Sequence, residues 1–146
     1  MAALEELVSF LDEELRLDGI PDYPGALNGL QLGAGGEVTR VAAAVDASLP
    51  VVEEAVAAGA QLLVVHHGMF WNGAKPVTGA LYRKFQAAIE SGLAIYSAHI
   101  PLDVHPRFGN NARLVEELGL VGCEPFFDWK GIALGIRGRF GGTREG

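Results

Sequence analysis

The sequence predicts an α/β fold: a mostly parallel β-sheet with helices on both faces, built from repeated βαβ units. Three observations carry that prediction. Short apolar runs of strand length recur at 39–45, 61–65 and 93–98. Helical segments at 49–58 and 79–91 lie between them, and Gly59 and Gly92 mark their ends. The runs are apolar throughout rather than alternating, which suits strands covered on both sides.

Taken in order, 4–17 reads as an amphipathic helix. Leu4, Leu7, Val8, Leu11 and Leu15 share one face, and Glu5, Glu6, Asp12, Glu13 and Arg16 the other. The stretch 18–36 is rich in Gly and Pro and reads as a loop carrying the short run Gly29-Leu30-Gln31-Leu32. The first buried strand is 39–45. Ser48 caps a helix over 49–58, with Pro50 in its first turn and Gly59 as its stop. The second strand is 61–65. The helix 79–91 presents Leu81, Phe85, Ala88 and Ile89 on one face, and 93–98 is the third strand. Asn110 or Asn111 caps a helix that runs through Leu118 and stops at Gly119, and 132–136 reads as a further strand. Residues 1–136 are therefore expected to form a single α/β domain, and 137–146 a basic, Gly-rich tail or truncated linker.

Composition narrows the function classes. The chain has 146 residues, with 11 Lys+Arg against 18 Asp+Glu and a net charge of −7. That balance argues against nucleic acid as the partner, because affinity for phosphates comes chiefly from basic side chains. An apolar content of 49% excludes a disordered chain. Cys123 is the one cysteine, so no intrachain disulfide or paired-cysteine zinc site can form. The start, Met1-Ala2-Ala3-Leu4-Glu5-Glu6, is acidic where a secretory signal would be basic, and no apolar run approaches a membrane span. A cytoplasmic protein without membrane association is the expectation.

The chemistry gathers where the strands end. In an open α/β sheet ligands bind beyond the carboxyl ends of the strands. The three predicted strands lead into Asp46, into His66-His67 and into His99 followed by Asp103, with His105 close behind. Neutral imidazole ligates zinc, iron, nickel and copper, and a carboxylate beside it widens the choice to manganese. Taken alone, His66-His67-Gly68 reads as readily as two strand-end histidines satisfied by hydrogen bonds, with Gly68 easing a turn. In His99-Ile100-Pro101-Leu102-Asp103, Pro101 is expected to forbid a helix and force an extended turn that carries Asp103 back over the same edge. An Asp carboxylate can bridge two cations. The coincidence of both segments at one edge points to a metal site. Asp46 reads as a helix-start residue or as a carboxylate behind a metal ligand. Phe70 and Trp71 read as core or as a pocket wall, Asn110-Asn111 as a cap, and Asn28-Gly29-Leu30-Gln31 as a turn unless something polar binds there. No GxxxxGK[ST], GxGxxG or GxSxG occurs.

These segments, with Val45-Asp46-Ala47-Ser48, Val64-Val65-His66-His67-Gly68-Met69-Phe70-Trp71, Ala98-His99-Ile100-Pro101-Leu102-Asp103 and Gly109-Asn110-Asn111, resemble the dinuclear metal-centre family. Its members are the NGG-interacting-factor-three-like proteins, or GTP cyclohydrolase type-two homologues. The resemblance implies an α/β fold, a homo-oligomer in the form of a hexameric ring, and divalent metal ions (Zn, Mn, Fe, Ni or Mg), two per site in the family. It implies that His66 and His67 each ligate one ion, that Asp103 ligates too, and that His99 lies beside the site. His99 is then the candidate to move a proton, with Asp46 behind a ligand. The family site is completed by a later His-x-x-x-Glu pair. This chain has no histidine after His105, and only Asp128 and Glu145 as carboxylates after Glu124. A truncated half, a short relative and a partner-completed site all remain open. The expected function is metal-activated water acting on a nucleotide-like or phosphoester small molecule; the alternative is a non-catalytic metal-binding ring subunit or interaction module.

Overall fold

A computed structural model describes residues 1–71 and 73–142. The first helix, α1 (Leu4–Glu14), is preceded by a two-residue strand, β1 (Ala2–Ala3), that pairs antiparallel with β3 (Glu37–Val38). The helix stops three residues short of expectation because Arg16 turns left-handed, at φ 54°. The run inside the predicted loop is a strand, β2 (Gly29–Leu32). The expected alternation follows: β4 (Val41–Asp46), α2 (Leu49–Ala57), β5 (Leu62–His67), α3 (Gly79–Ser91) and β6 (Ala94–Ser97).

The central sheet has the order β2-β6-β5-β4. Strands β4, β5 and β6 are parallel, whereas β2 runs antiparallel on β6. The expectation of a mostly parallel sheet is therefore corrected to a mixed sheet. The connection from β2 to β4, residues 33–40, holds no helix, and the two strands that it joins run in opposite directions.

Alternation along β5 divides the core. Leu63 and Val65 pack with Val52 and Ala55 of α2 and Ala88 of α3. Leu62, with Val64 packed partly against it, joins Ala94 and Tyr96 against Leu4 and Leu15 at the two ends of α1. Helices thus cover both faces, and the near-continuous apolar character of β5 and β6 is the direct consequence. Strand β4 lies at the sheet edge, and Val41 and Val45 face outward there.

Beyond β6 two expectations change. The segment Ile100–Val104 is a short helix, α4, with Pro101 in its first turn. Proline is excluded from helix interiors but tolerated there, because the first-turn N–H groups have no helical acceptor. After α5 (Asn110–Glu117) comes a hairpin of β7 (Val121–Trp129) and β8 (Ile132–Arg139). Its two-residue turn puts Lys130 at φ 50° and Gly131 at φ 83°, the left-handed pair of a type I′ turn. Arg137 to Arg139, read as the start of a tail, belong to β8; residues 143–146 lie outside the described residues. Among the described residues no helix is long and apolar enough to cross a membrane.

Candidate metal centre

The parallel register brings the strand ends together. Asp46 pairs with His67 across β4 and β5, Val65 pairs with Ser97 across β5 and β6, and His99 follows two residues later. His66 and His67 are both still within β5. Their rings nevertheless lie 4.5 Å apart, and His99 is 4.7 Å from His66 and 5.6 Å from His67, centre to centre. One nitrogen from each of the three rings falls within 4.8 Å of the other two.

Gly68 has a different purpose from the one expected. Its φ is not left-handed; instead, a Cβ there would overlap the Gln31 carboxamide. That carboxamide accepts from Met69 N–H at 2.6 Å and donates to the carbonyls of Ala26 and Leu27, both at 3.0 Å. Gln31 therefore stitches the loop before β2 to the segment after the histidines.

Each ring is oriented through Nδ1. His66 Nδ1 faces the Ala98 carbonyl at 3.3 Å, His67 Nδ1 faces Asp46 Oδ1 at 2.8 Å, and His99 Nδ1 faces Asp22 Oδ1 at 2.9 Å. An oxygen acceptor at Nδ1 places the proton there and leaves Nε2 as a lone pair. This is the arrangement by which metal-ligating histidines are held. Burial pushes the His66 pKa down, Asp103 opposes that, and His99 and His67 add to it, so the net shift favours neutral imidazole.

Asp22 is the residue that sequence reasoning missed. Its side chain is 7% exposed and accepts four hydrogen bonds, from Tyr23 N–H, His99 Nδ1, Asn28 Nδ2 and Ile100 N–H. Burial alone would raise its pKa, but the bonds from Asn28, His99, Tyr23 and Ile100 outweigh it and hold the carboxyl below its usual value. Asn28, read as part of a turn, also accepts His99 N–H through Oδ1 at 2.8 Å. No local periodicity marks Asp22; the only trace was the unusual density of Asp, Pro and Gly in 18–25.

Asp103 approaches from α4. Its Oδ1 is 3.7 Å from His66 Nε2, too long for a hydrogen bond, and accepts Asn110 Nδ2 at 2.8 Å. Two donors held by one ion at about 2.0–2.2 Å lie at most about 4.4 Å apart, so His66 and Asp103 are spaced as neighbours in one coordination sphere. Asn110 is thus a brace for Asp103, and Gly109 is the helix N-cap instead. Phe70 and Trp71 part company. Phe70 packs toward Phe85, while Trp71 stands edge-on to His99 at 4.5 Å. Tyr23, Asp46, His67, Trp71 and His99 line a pocket of about 490 Å³ over the cluster.

The donor set is suited to a cation. Three imidazoles, with one nitrogen of each within 4.8 Å of the others, share the edge with the carboxylates of Asp22, Asp46 and Asp103. Such a set fits a divalent ion and disfavours an anion.

The family described as Duf34/NIF3 (NGG1p interacting factor 3) matches residues 2–141. The chain belongs to the Duf34/NIF3 family. A relative from Deinococcus radiodurans, named a GTP cyclohydrolase 1 type 2 homolog, is 45% identical over 134 residues, covering 92% of this chain and 50% of the relative. The crystal structure of TTHA1606 from Thermus thermophilus superposes with a TM-score of 0.80 at 40% identity, covering 85% of this chain and 51% of that one. Reduced HcgD from Methanocaldococcus jannaschii gives a TM-score of 0.81 at 28% identity, covering 98% of this chain and 56% of that one. This NIF3-family chain thus spans about half the length of the curated relatives it matches.

Proposed function

We propose that this chain is the metal-binding half of a metal-dependent hydrolase, with His66, His67 and Asp103 as ligands. The observation that carries the reading is the shared orientation of the three rings, each with Nδ1 engaged by an oxygen and Nε2 left free. The imidazole-rich set suits Zn, Fe, Ni or Mn better than Mg, which prefers oxygen. A bound divalent ion supplies Lewis-acid polarisation and an activated water near neutral pH.

The protein's own groups do the rest. Asp46 fixes the tautomer and direction of His67. Asp22 does the same for His99, whose free nitrogen can accept a proton at the pocket floor and return it to a leaving group. Trp71 and Tyr23 wall the pocket against bulk water. A nucleotide-like small molecule is the substrate class that the relatives' names favour, a phosphoester is the second class for a metal-activated water, and a homo-oligomeric ring is the proposed assembly.

The test is metal content by mass spectrometry on protein purified without chelator. Wild type should carry a divalent metal and His66→Ala/His67→Ala only background; equal content would end the proposal. One observation favours a second role for His99: its nitrogen lies within 4.8 Å of the other two. His99→Gln separates the roles. A proton carrier leaves metal content intact while turnover of a nucleotide or phosphoester panel is lost; a third ligand loses metal as well.

A further inference from the structure

A second cavity lies behind the metal edge. Residues of α3 and of the connection before it, Met69, Phe70, Lys75 and Val77 among them, line a cavity of about 570 Å³, a size typical of small-molecule sites. Met69, Phe70, Val77, Leu81 and Phe85 form its apolar wall, and Lys75 and Lys84 are the charged residues among those that line it. Among the described residues no carboxylate lines it, although the chain as a whole carries 18 acidic residues against 11 basic ones.

Lys84 is the informative residue. Nζ donates to the Ala47 carbonyl at 2.7 Å, and among the described residues no carboxylate lies within ion-pair distance. One carbonyl satisfies one of the three ammonium donors and none of the charge. A partly buried cation without a counter-ion is costly unless an anion completes it. Burial draws its pKa below the usual lysine value, in keeping with that cost. The cavity is separate from the metal pocket: Phe70 faces the former and its neighbour Trp71 the latter.

We propose that this cavity binds a small apolar molecule bearing a single carboxylate, of the medium-chain carboxylate type, with the head group at Lys84 and the apolar body against Phe70, Leu81 and Phe85. Nothing in the metal chemistry requires this site, so it stands or falls independently of the hydrolase reading.

Met69 provides the probe. The chain has two methionines, and the other is Met1, so 13C-methyl methionine labelling places one signal in the cavity. Decanoate, titrated below its micelle concentration with chelator present, should shift the Met69 methyl saturably. Binding should persist in His66→Ala/His67→Ala. 1-Decanol should bind about tenfold more weakly, the discrimination of one incompletely screened charge contact. Lys84→Leu should weaken decanoate to the level of decanol and leave decanol unchanged. An unmoved Met69 signal overturns the proposal, and so does equal binding of decanoate and decanol to wild type. A Met69 shift that follows protein concentration instead of ligand would assign the cavity to a second copy of the chain and equally overturn it.

Discussion

His105 and the three histidines of the sheet edge use the same side chain in opposite ways. In the edge cluster Nδ1 faces an oxygen and Nε2 is left over. At the corner between α4 and α5, His105 Nδ1 accepts the N–H groups of Arg107 at 3.2 Å and Phe108 at 2.9 Å. The proton must then sit on Nε2, 3.5 Å from Glu14 Oε1. Phe108 stacks on the ring with its plane 8° away, and Arg107 covers Phe108 and reaches Glu14. Both nitrogens of His105 face groups of the protein itself, so it ties α1 to the corner. Those of the cluster each have one nitrogen to spare, and one nitrogen from each ring lies within 4.8 Å of the other two. Proximity in sequence to Asp103 says nothing about this difference; the direction of the leftover lone pair decides it.

The sharpest way to break the contrast is to remove one histidine from each region. His66→Ala should reduce metal affinity by more than a hundredfold while leaving the fold in place. His105→Ala should keep its metal but lose about 2–4 kcal/mol of stability, the cost of two N–H groups left without an acceptor. Metal analysis and urea unfolding on both variants read the two axes. Metal loss in His105→Ala without unfolding would erase the distinction.

Asp22 sits between the two behaviours, because it orients His99 and also joins the loop to the start of α4. Asp22→Ala should lose about 2–3 kcal/mol in chemical unfolding, since several donors lose a charged acceptor at once. The pH dependence follows from its lowered pKa. The unfolded carboxyl binds more protons than the folded one in the acid range, so the ionic contribution is present above the unfolded value of about 3.8 and is lost as pH falls through the folded one. The unfolding midpoints of wild type and Asp22→Asn should therefore differ most at neutral pH and converge below about pH 4. A constant gap would show that Asp22 acts by shape alone.

The smallest effect belongs to Asp46, whose side chain is 61% exposed. Asp46→Asn should change stability negligibly and weaken metal binding about tenfold, the usual scale for a carboxylate behind a ligating imidazole. Isothermal titration with zinc measures it; unchanged affinity would make Asp46 a surface residue that happens to touch His67.

Legibility followed the physics of each element. The strands 62–67 and 94–97 were readable because burial on two faces demands apolar runs, whereas 41–46, expected to be buried, is a largely exposed edge strand read from its apolar composition alone. Helix α3 matched its expected bounds because its apolar face repeats at helical spacing and Gly92 ends it at φ 67°. The hairpin was half missed. β7 contains Gly122 and Pro125 and is exposed along nearly its whole length, so it lacks any hydrophobic period. Pro101 misled because the same residue both breaks helices and begins them. His66, His67, His99, Asp46 and Asp103 were singled out by a topological rule about strand ends, and the structure brings them to one edge, whereas Asp22, Tyr23 and Asn28 come from a loop to which that rule does not apply.

The sequence by itself determined the α/β class, the three parallel strands and the gathering of histidines and carboxylates at one edge. Periodicity and strand polarity are local properties, and they reach that far. Tertiary structure decided the antiparallel β2, the separation of His105 from the cluster and the choice of tautomer at each ring. Those depend on which acceptor lies opposite each nitrogen, and in His99 that acceptor is a carboxylate 77 positions earlier in the chain.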